Sequence, residues 1–250
     1  MDGIKTPRNA GANRRSRLRC AVTDLDGFGF VLSDVQLSED QRNYIAASLP
    51  STADQRGGGR SLLSHPTVLR LIQHRQLAQL LRSLTGRELV AVAARLLDST
   101  RTPEISAQWH QDRLVAVRER LDVEGYGPWT TRVGISHVEP PASVLDQMIL
   151  VQVHLDDVAA DSDALRILPG THRAGKLTIE ALQHFLETEI PVAPPIPKGA
   201  LVVMRPLLLH ATSASSRTSQ HYRVLEITFA PSEAITPLQW HSTVHLHRAA

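Results

Sequence analysis

The sequence predicts an α+β fold with a β-sandwich or barrel core, and three observations carry that expectation. Amphipathic helical patterns gather in the first third of the chain. Short β-rich runs bounded by Gly, Pro and Asp fill the second half: "MILVQVHLDDV" (148–158), "ALRILPG" (164–170), "GALVVMR" (199–205) and "YRVLEITFA" (222–230). A single helical stretch, about 177–187, interrupts them, and the Pro-rich "IPVAPPIPKG" (190–199) reads as a turn-rich connection.

Taken in order, "AVTDLDGFGFVLSDVQ" (21–36) alternates apolar and polar residues around Gly27 and Gly29 and reads as short strands with a turn. Ser38 followed by Gln41 forms a capping box for a helix over about 39–48, which Pro50 stops. "STADQRGGGRS" (51–61) is a loop. From Pro66 to Leu84, apolar residues at helical spacing predict one helix, closed by Gly86. "ELVAVAARLL" (88–97) is a strand. The stretch 118–142 is rich in Gly and Pro and carries Tyr126 and Trp129. It is either a lid that shapes a substrate cavity or a plain surface excursion.

Composition bounds the class. The 250 residues are 42% hydrophobic and 21% charged, ordinary for a soluble globular protein. No apolar run approaches the roughly 20 residues that span a bilayer. A lone cysteine, Cys20, permits no internal disulfide and suits a reducing compartment, so a cytoplasmic location is expected. Charge is uneven: residues 1–20 hold six basic side chains against Asp2, a net +5, which leaves −3 on the remainder of a chain whose total is +2. Residues 1–20 are therefore expected to be a basic, disordered tail and 21–250 a single domain, with no nucleic-acid or membrane partner.

The chemistry concentrates around "QWHQDRLVAV" (108–117). On a strand, residues i and i+2 face the same side, so His110 and Asp112 can share a metal. A third ligand must come from elsewhere, and His210 is the best placed, since it closes the strand candidate "GALVVMRPLLLH" (199–210) at its rim. Two imidazoles and one carboxylate on one face leave three coordination positions open, the arrangement of non-haem Fe(II) oxygenases. Arg223, at the start of "RVLEITFA", supplies a strand-borne guanidinium able to grip a carboxylate in bidentate fashion. Arg205 and Arg217 stand next in line for that task.

These pieces resemble the phytanoyl-CoA dioxygenase-like family of Fe(II)/2-oxoglutarate oxygenases. The resemblance rests on "WHQD" (109–112), "HLDD" (154–157), "LRILPGTHRAGKL" (165–177), "MRPLLLHATS" (204–213), "RVLEITFA" (223–230) and "LQWH" (238–241), in the family's order. It implies a double-stranded β-helix (jelly-roll, cupin-like) core with N-terminal helices packed on one sheet. It implies His110, Asp112 and His210 as iron ligands, and Arg223 as partner of the distal carboxylate of 2-oxoglutarate. It further implies Thr212, where family members often carry a Ser, beside that carboxylate, and Gln111, turned from the metal by strand alternation, as able to reach the cosubstrate by a turn of the chain. Dioxygen would be the second cosubstrate, with 2-oxoglutarate decarboxylated to succinate. The retained Asp112 favours hydroxylation or desaturation over halogenation, because related halogenases lack that carboxylate. The chain departs from the family at Ser99, where relatives carry a lysine, and at Asp163, where they carry a glycine.

The family acts on fatty acyl thioesters, amino acids and natural-product scaffolds. A net −3 outside the tail offers no basic rim for the phosphates of an acyl thioester, so a free small molecule is expected, such as a secondary metabolite or an amino- or fatty-acid derivative. Among the other histidines, His172 of "PGTH" is expected to order its turn and His154 has no assigned role. "HSTVHLH" (241–247) reads as an exposed strand with no carboxylate to complete a metal site. Two rival readings remain beside the oxygenase: a non-catalytic binding protein on the same barrel, and a zinc hydrolase with two histidines and one carboxylate.

Overall fold

Residues 24–49, 61–98, 108–157, 165–212 and 223–247 are described in a computed structural model of the chain. The tail 1–20, Ser99, Asp163 and Arg217 lie outside them. A short helix α1 (Leu25–Phe28) leads into β1 (Phe30–Gln36) and α2 (Glu39–Ser48). The α2 start is the capping box expected from sequence: the Ser38 side chain accepts from the Gln41 N–H while the Gln41 side chain accepts from the Ser38 N–H.

The predicted helix over 66–84 is two helices, α3 (Pro66–Ile72) and α4 (Arg75–Thr85). The apolar phase explains the break. Val68, Leu71 and Ile72 share one face, but the next buried residue, Leu77, comes five positions after Ile72, too far round a continuous helix to meet the same core. Gly86, at φ 64°, closes α4 in the left-handed conformation.

Strands follow: β2 (Val90–Asp98), β3 (Val115–Val117), β4 (Trp129–Arg132) and β5 (Ile135–Val138), then a one-turn helix α5 (Ala142–Leu145). Next come β6 (Ile149–His154), β7 (Leu165–Ile167), helix α6 (Ile179–Thr188), β8 (Ala200–Met204), β9 (His210–Thr212), β10 (Arg223–Ala230) and β11 (Val244–His245). The main layer is a six-stranded antiparallel sheet in the order β1-β8-β6-β10-β2-β11. The facing layer is built of short pieces: β7 pairs with β9, His110 bridges to His210, and Val192 bridges to Ile167. The 118–142 excursion contains the β4–β5 hairpin, which pairs with β3 as a three-stranded sheet. Helices on one face of a jelly-roll sandwich are the architecture the sequence predicted.

Strand alternation divides the core in two. Ile149, Val151 and Val153 of β6, with Leu225, Ile227 and Phe229 of β10, pack outward against the helices through Ile45, Val68, Leu71, Ile72, Leu77 and Leu81. The opposite phase faces into the sandwich: Leu150, Val202, Met204 and Val224 meet Leu165 and Ile167. Between Val90 and Ala93 the pairing of β2 with β10 slips by one, since Phe229 pairs with Ala91 and Thr228 with Ala93. Val92 is thus an extra residue, a β-bulge that reverses the phase of β2 beyond it. Ala91 and Ala94, three apart, both face the helices, and Arg95 faces inward.

Candidate metal centre

The triad predicted from sequence is brought together. His110, Asp112 and His210 each offer one ligand atom, and those atoms lie within 4.8 Å of one another. The chain achieves this by a tight corner rather than the single strand expected. β8 ends at Met204, the backbone turns at Arg205–Leu208, and His210 opens β9 in the facing layer instead of closing β8 at its rim. Reciprocal backbone bonds between His110 and His210 (2.9 and 3.1 Å) clamp the two histidines side by side, with ring centroids 4.4 Å apart. The Asp112 N–H donates to Pro206 O at 2.9 Å, which fixes the carboxylate to the same corner.

The PGTH turn buttresses that corner. Thr171 Oγ1 donates to Leu168 O at 2.8 Å and accepts from the Leu209 N–H at 2.9 Å, just before His210. His172 contacts Asp26 O through Nε2 at 3.0 Å and orders the turn against α1, as expected. Gly29 lies against its ring: at φ 80°, a Cβ there would sit 2.5 Å from His172 Nδ1, so only glycine fits.

Hydrogen bonds set the tautomers. His110 Nδ1 lies 2.8 Å from Gln108 O and His210 Nδ1 lies 2.9 Å from Leu208 O; each therefore carries its proton on Nδ1 and presents a bare Nε2 lone pair. Burial, then the neighbouring His110, hold the pKa of His210 below its usual value against the pull of Asp112. Burial would raise the Asp112 carboxyl, but Arg95, then His210 and His110, outweigh it and pull it down to about 2. The donor set is thus two imidazoles with Nδ1 engaged by backbone carbonyls and an ionised carboxylate. Asp112 Oδ2, 3.4 Å from His210 Nε2, is buried with no hydrogen-bond partner. An orphaned carboxylate oxygen facing two bare imidazole nitrogens is a costly arrangement without a cation, and the donor set fits a divalent transition metal with open positions.

Thr212 is buried on β9, two residues past His210 and on the same strand face. Gln111 has a different task from the one expected. Its Nε2 donates to Gly175 O (2.8 Å) and Leu207 O (2.7 Å), and its Oε1 accepts from the Leu177 N–H (2.9 Å). Both ends of its amide are spent on backbone, tying the loop after the PGTH turn to the corner before His210. That leaves no group for a cosubstrate.

Arg223 is not brought to the triad. It is in phase with Leu225, Ile227 and Phe229, which face the helices, so strand alternation turns it away from the sandwich interior. Its Nε and Nη2 grip Asp156 at 3.0 and 2.9 Å, and its backbone N–H adds a third bond at 2.9 Å. Arg205 is committed as well, to Asp146 O at 2.8 Å and to the Asp26 carboxylate. The arginine at the triad is one that sequence reasoning missed. Arg95 Nη2 donates to Asp112 Oδ1 at 3.0 Å, while its Nε donates to Glu226 Oε1 at 2.7 Å. Glu226 Oε2 accepts from Gln152 Nε2 at 3.0 Å. The available signal was a charged or amide side chain in the middle of each of three mainly apolar strands: "AVAARLL", "RVLEITFA" and "ILVQVH".

Residues 42–224 match the family model described as Phytanoyl-CoA dioxygenase (PhyH). No curated protein matches the chain. Among solved structures, the chain is similar to SnoN, a non-haem α-ketoglutarate-dependent epimerase from nogalamycin biosynthesis (15% identity, TM-score 0.55, covering 87% of this chain and 84% of that one). It is similar to HygX from Streptomyces hygroscopicus with nickel and 2-oxoglutarate bound (16%, TM-score 0.54, covering 87% of each chain). A nickel complex of the non-haem monooxygenase ThoJ gives 15% identity, a TM-score of 0.57 and coverage of 91% of this chain and 84% of that one. At these identities the likeness is one of fold.

Proposed function

Because the chain belongs to the phytanoyl-CoA dioxygenase family, we propose that it is a non-haem Fe(II)/2-oxoglutarate-dependent oxygenase that hydroxylates or desaturates a small molecule. The observation that carries this reading is the orphaned Asp112 Oδ2 facing the two bare Nε2 atoms, a facial set that leaves room for a chelating cosubstrate and dioxygen. His110, Asp112 and His210 would hold the metal. Iron with 2-oxoglutarate supplies, when bound, the oxygen activation and C–H cleavage; the protein supplies orientation and a dry cavity. The Nδ1 contacts fix both imidazoles in the ligating tautomer, and Thr212 offers a hydroxyl on the His210 face for the cosubstrate.

The mouth of the site is polar and mixed in charge. Glu139, just past β5, lies 3.5 Å from Arg113, one residue after Asp112, and Lys176 donates to Pro140 O at 3.1 Å. The β4–β5 excursion is thereby tied to the loop beside the triad. This supports the reading of 118–142 as a wall of the substrate cavity, and the substrate class proposed is a free small molecule, such as a secondary metabolite. HygX is solved with hygromycin B bound, and SnoN is named an epimerase where ThoJ is named a monooxygenase, so more than one reaction outcome is found on this fold.

Anaerobic addition of Fe(II) and 2-oxoglutarate is expected to give a visible charge-transfer band that His110→Ala abolishes. A protein with no band and no succinate formation would not be this oxygenase. A metal-binding barrel without turnover is the second reading, and the engagement of Arg223 by Asp156 favours it. Its signature would be metal uptake with no 2-oxoglutarate-dependent band.

A further inference from the structure

We infer that Arg95, braced by Glu226 and Gln152, is the positioning residue that holds Asp112 as a one-oxygen metal ligand. The inference rests on the metal reading above and goes beyond it by assigning three residues that lie outside the triad. Gln152, Glu226 and Arg95 stand directly opposite one another across β6, β10 and β2, in a single row on the inner face of the main sheet. The row ends on the ligand carboxylate.

The detailed geometry separates this arrangement from a buried ion pair that serves stability alone. A guanidinium satisfied by one carboxylate makes two parallel bonds, one to each oxygen. Here the Arg95 Nε and Nη2 both converge on Glu226 Oε1, at 2.7 and 2.6 Å, and Glu226 Oε2 is occupied by Gln152. Sharing one oxygen rotates the guanidinium so that Nη2 also reaches Asp112 Oδ1. Glu226 and Gln152 are buried, whereas the Arg95 side chain is 47% exposed at the mouth of the site.

The division of labour at Asp112 follows. Oδ1 is held by Arg95, so the carboxylate cannot turn to chelate with both oxygens, and Oδ2 is left aimed at the imidazole nitrogens. One-oxygen ligation keeps three positions free on an octahedral ion. Groups that orient metal ligands in this way typically govern affinity by about 10–100-fold.

The experiment is titration of the purified full chain with Co(II), followed by calorimetry and by the cobalt visible spectrum, which reports ligand number and geometry without turnover. Arg95→Ala is expected to weaken Co(II) binding by about tenfold or more and to change the spectrum as Asp112 becomes free to chelate. Glu226→Gln should move both readouts the same way by less. Arg95→Lys keeps the charge but not the fork, and should recover affinity better than the spectrum. Thermal melts check that each variant is folded. Where Arg95→Ala does not fold, Arg95→Lys and Glu226→Gln decide: parental affinity and spectrum in both would overturn the inference. A parent chain that takes up no Co(II) would instead sink the metal reading itself.

Discussion

Two arginines sit on paired strands of one sheet, and each holds a carboxylate, yet they belong to different worlds. Arg95 on β2 faces into the sandwich and ends at the triad; Arg223 on β10 faces the helices and closes on Asp156. Their residue type is the same, but Arg223 grips one carboxylate by both oxygens while Arg95 is shared between Glu226 and Asp112. The difference is strand phase: Arg223 keeps step with Leu225, Ile227 and Phe229, whereas Arg95 stands opposite Glu226, whose phase points inward. A guanidinium's role is set by the face that carries it before its chemistry matters at all.

The sharpest way to break the comparison is at Glu226, the buried acid that only the inner arginine has. Glu226→Ala leaves Arg95 without its buried partner and should cost about 2–3 kcal/mol in urea unfolding, less than for a fully buried pair because Arg95 is half exposed and keeps Asp112. Next comes the triad itself. Asp112→Asn should lower metal affinity by about a hundredfold or more, read by calorimetry, while Arg95 retains Glu226.

Acid provides a third separation. Burial holds His154, inward-facing beside Gln152, down at a pKa of about 3. Its folded pKa lies below the ordinary value of about 6.5, so the unfolded chain binds the proton more readily and stability falls as pH drops below about 6.5. Between pH 7 and pH 5 that one group should remove about 2 kcal/mol, and His154→Gln should flatten the slope in a pH series of denaturation curves.

The outer pair should respond weakly. Asp156→Asn removes a partly exposed ion pair and should cost about 1 kcal/mol with metal affinity unchanged. The smallest effect belongs to Arg223→Gln: a change of less than about twofold in the 2-oxoglutarate needed for half-maximal band intensity. A large rise there would restore Arg223 to the cosubstrate.

What was legible in the sequence follows from how local the signals were. The capping box at Ser38 and Gln41, the HxD pair and the PGTH turn are set within a few residues, and each is where the pattern put it. His210 was found by its place in the chain, although the corner at Arg205–Leu208 moved it from the end of one strand to the start of another. The helix over 66–84 was misjudged because the gap from Ile72 to Leu77 is a phase break hidden in an otherwise regular run. Arg223 was misplaced and Arg95 missed for one shared reason. Alternation shows that two faces exist, but which faces the cavity depends on the partner strands. Even so, Glu226 and Thr228 sit opposite in phase to the large apolar residues of β10, and that polar phase marked the inner face.

The bulge at Val92 carries a consequence for how this scaffold changes over generations. One residue of β2 is left over between Ala91, opposite Phe229, and Ala93, opposite Thr228. A one-codon deletion at Val92 would close the bulge, with Ala93 still opposite Thr228 and Arg95 still opposite Glu226 on the inner face. A substitution can only weaken the brace on Asp112. The loss of one residue beside the bulge would leave that brace in place, so the bulge gives β2 one residue of slack in length without moving the inner cation.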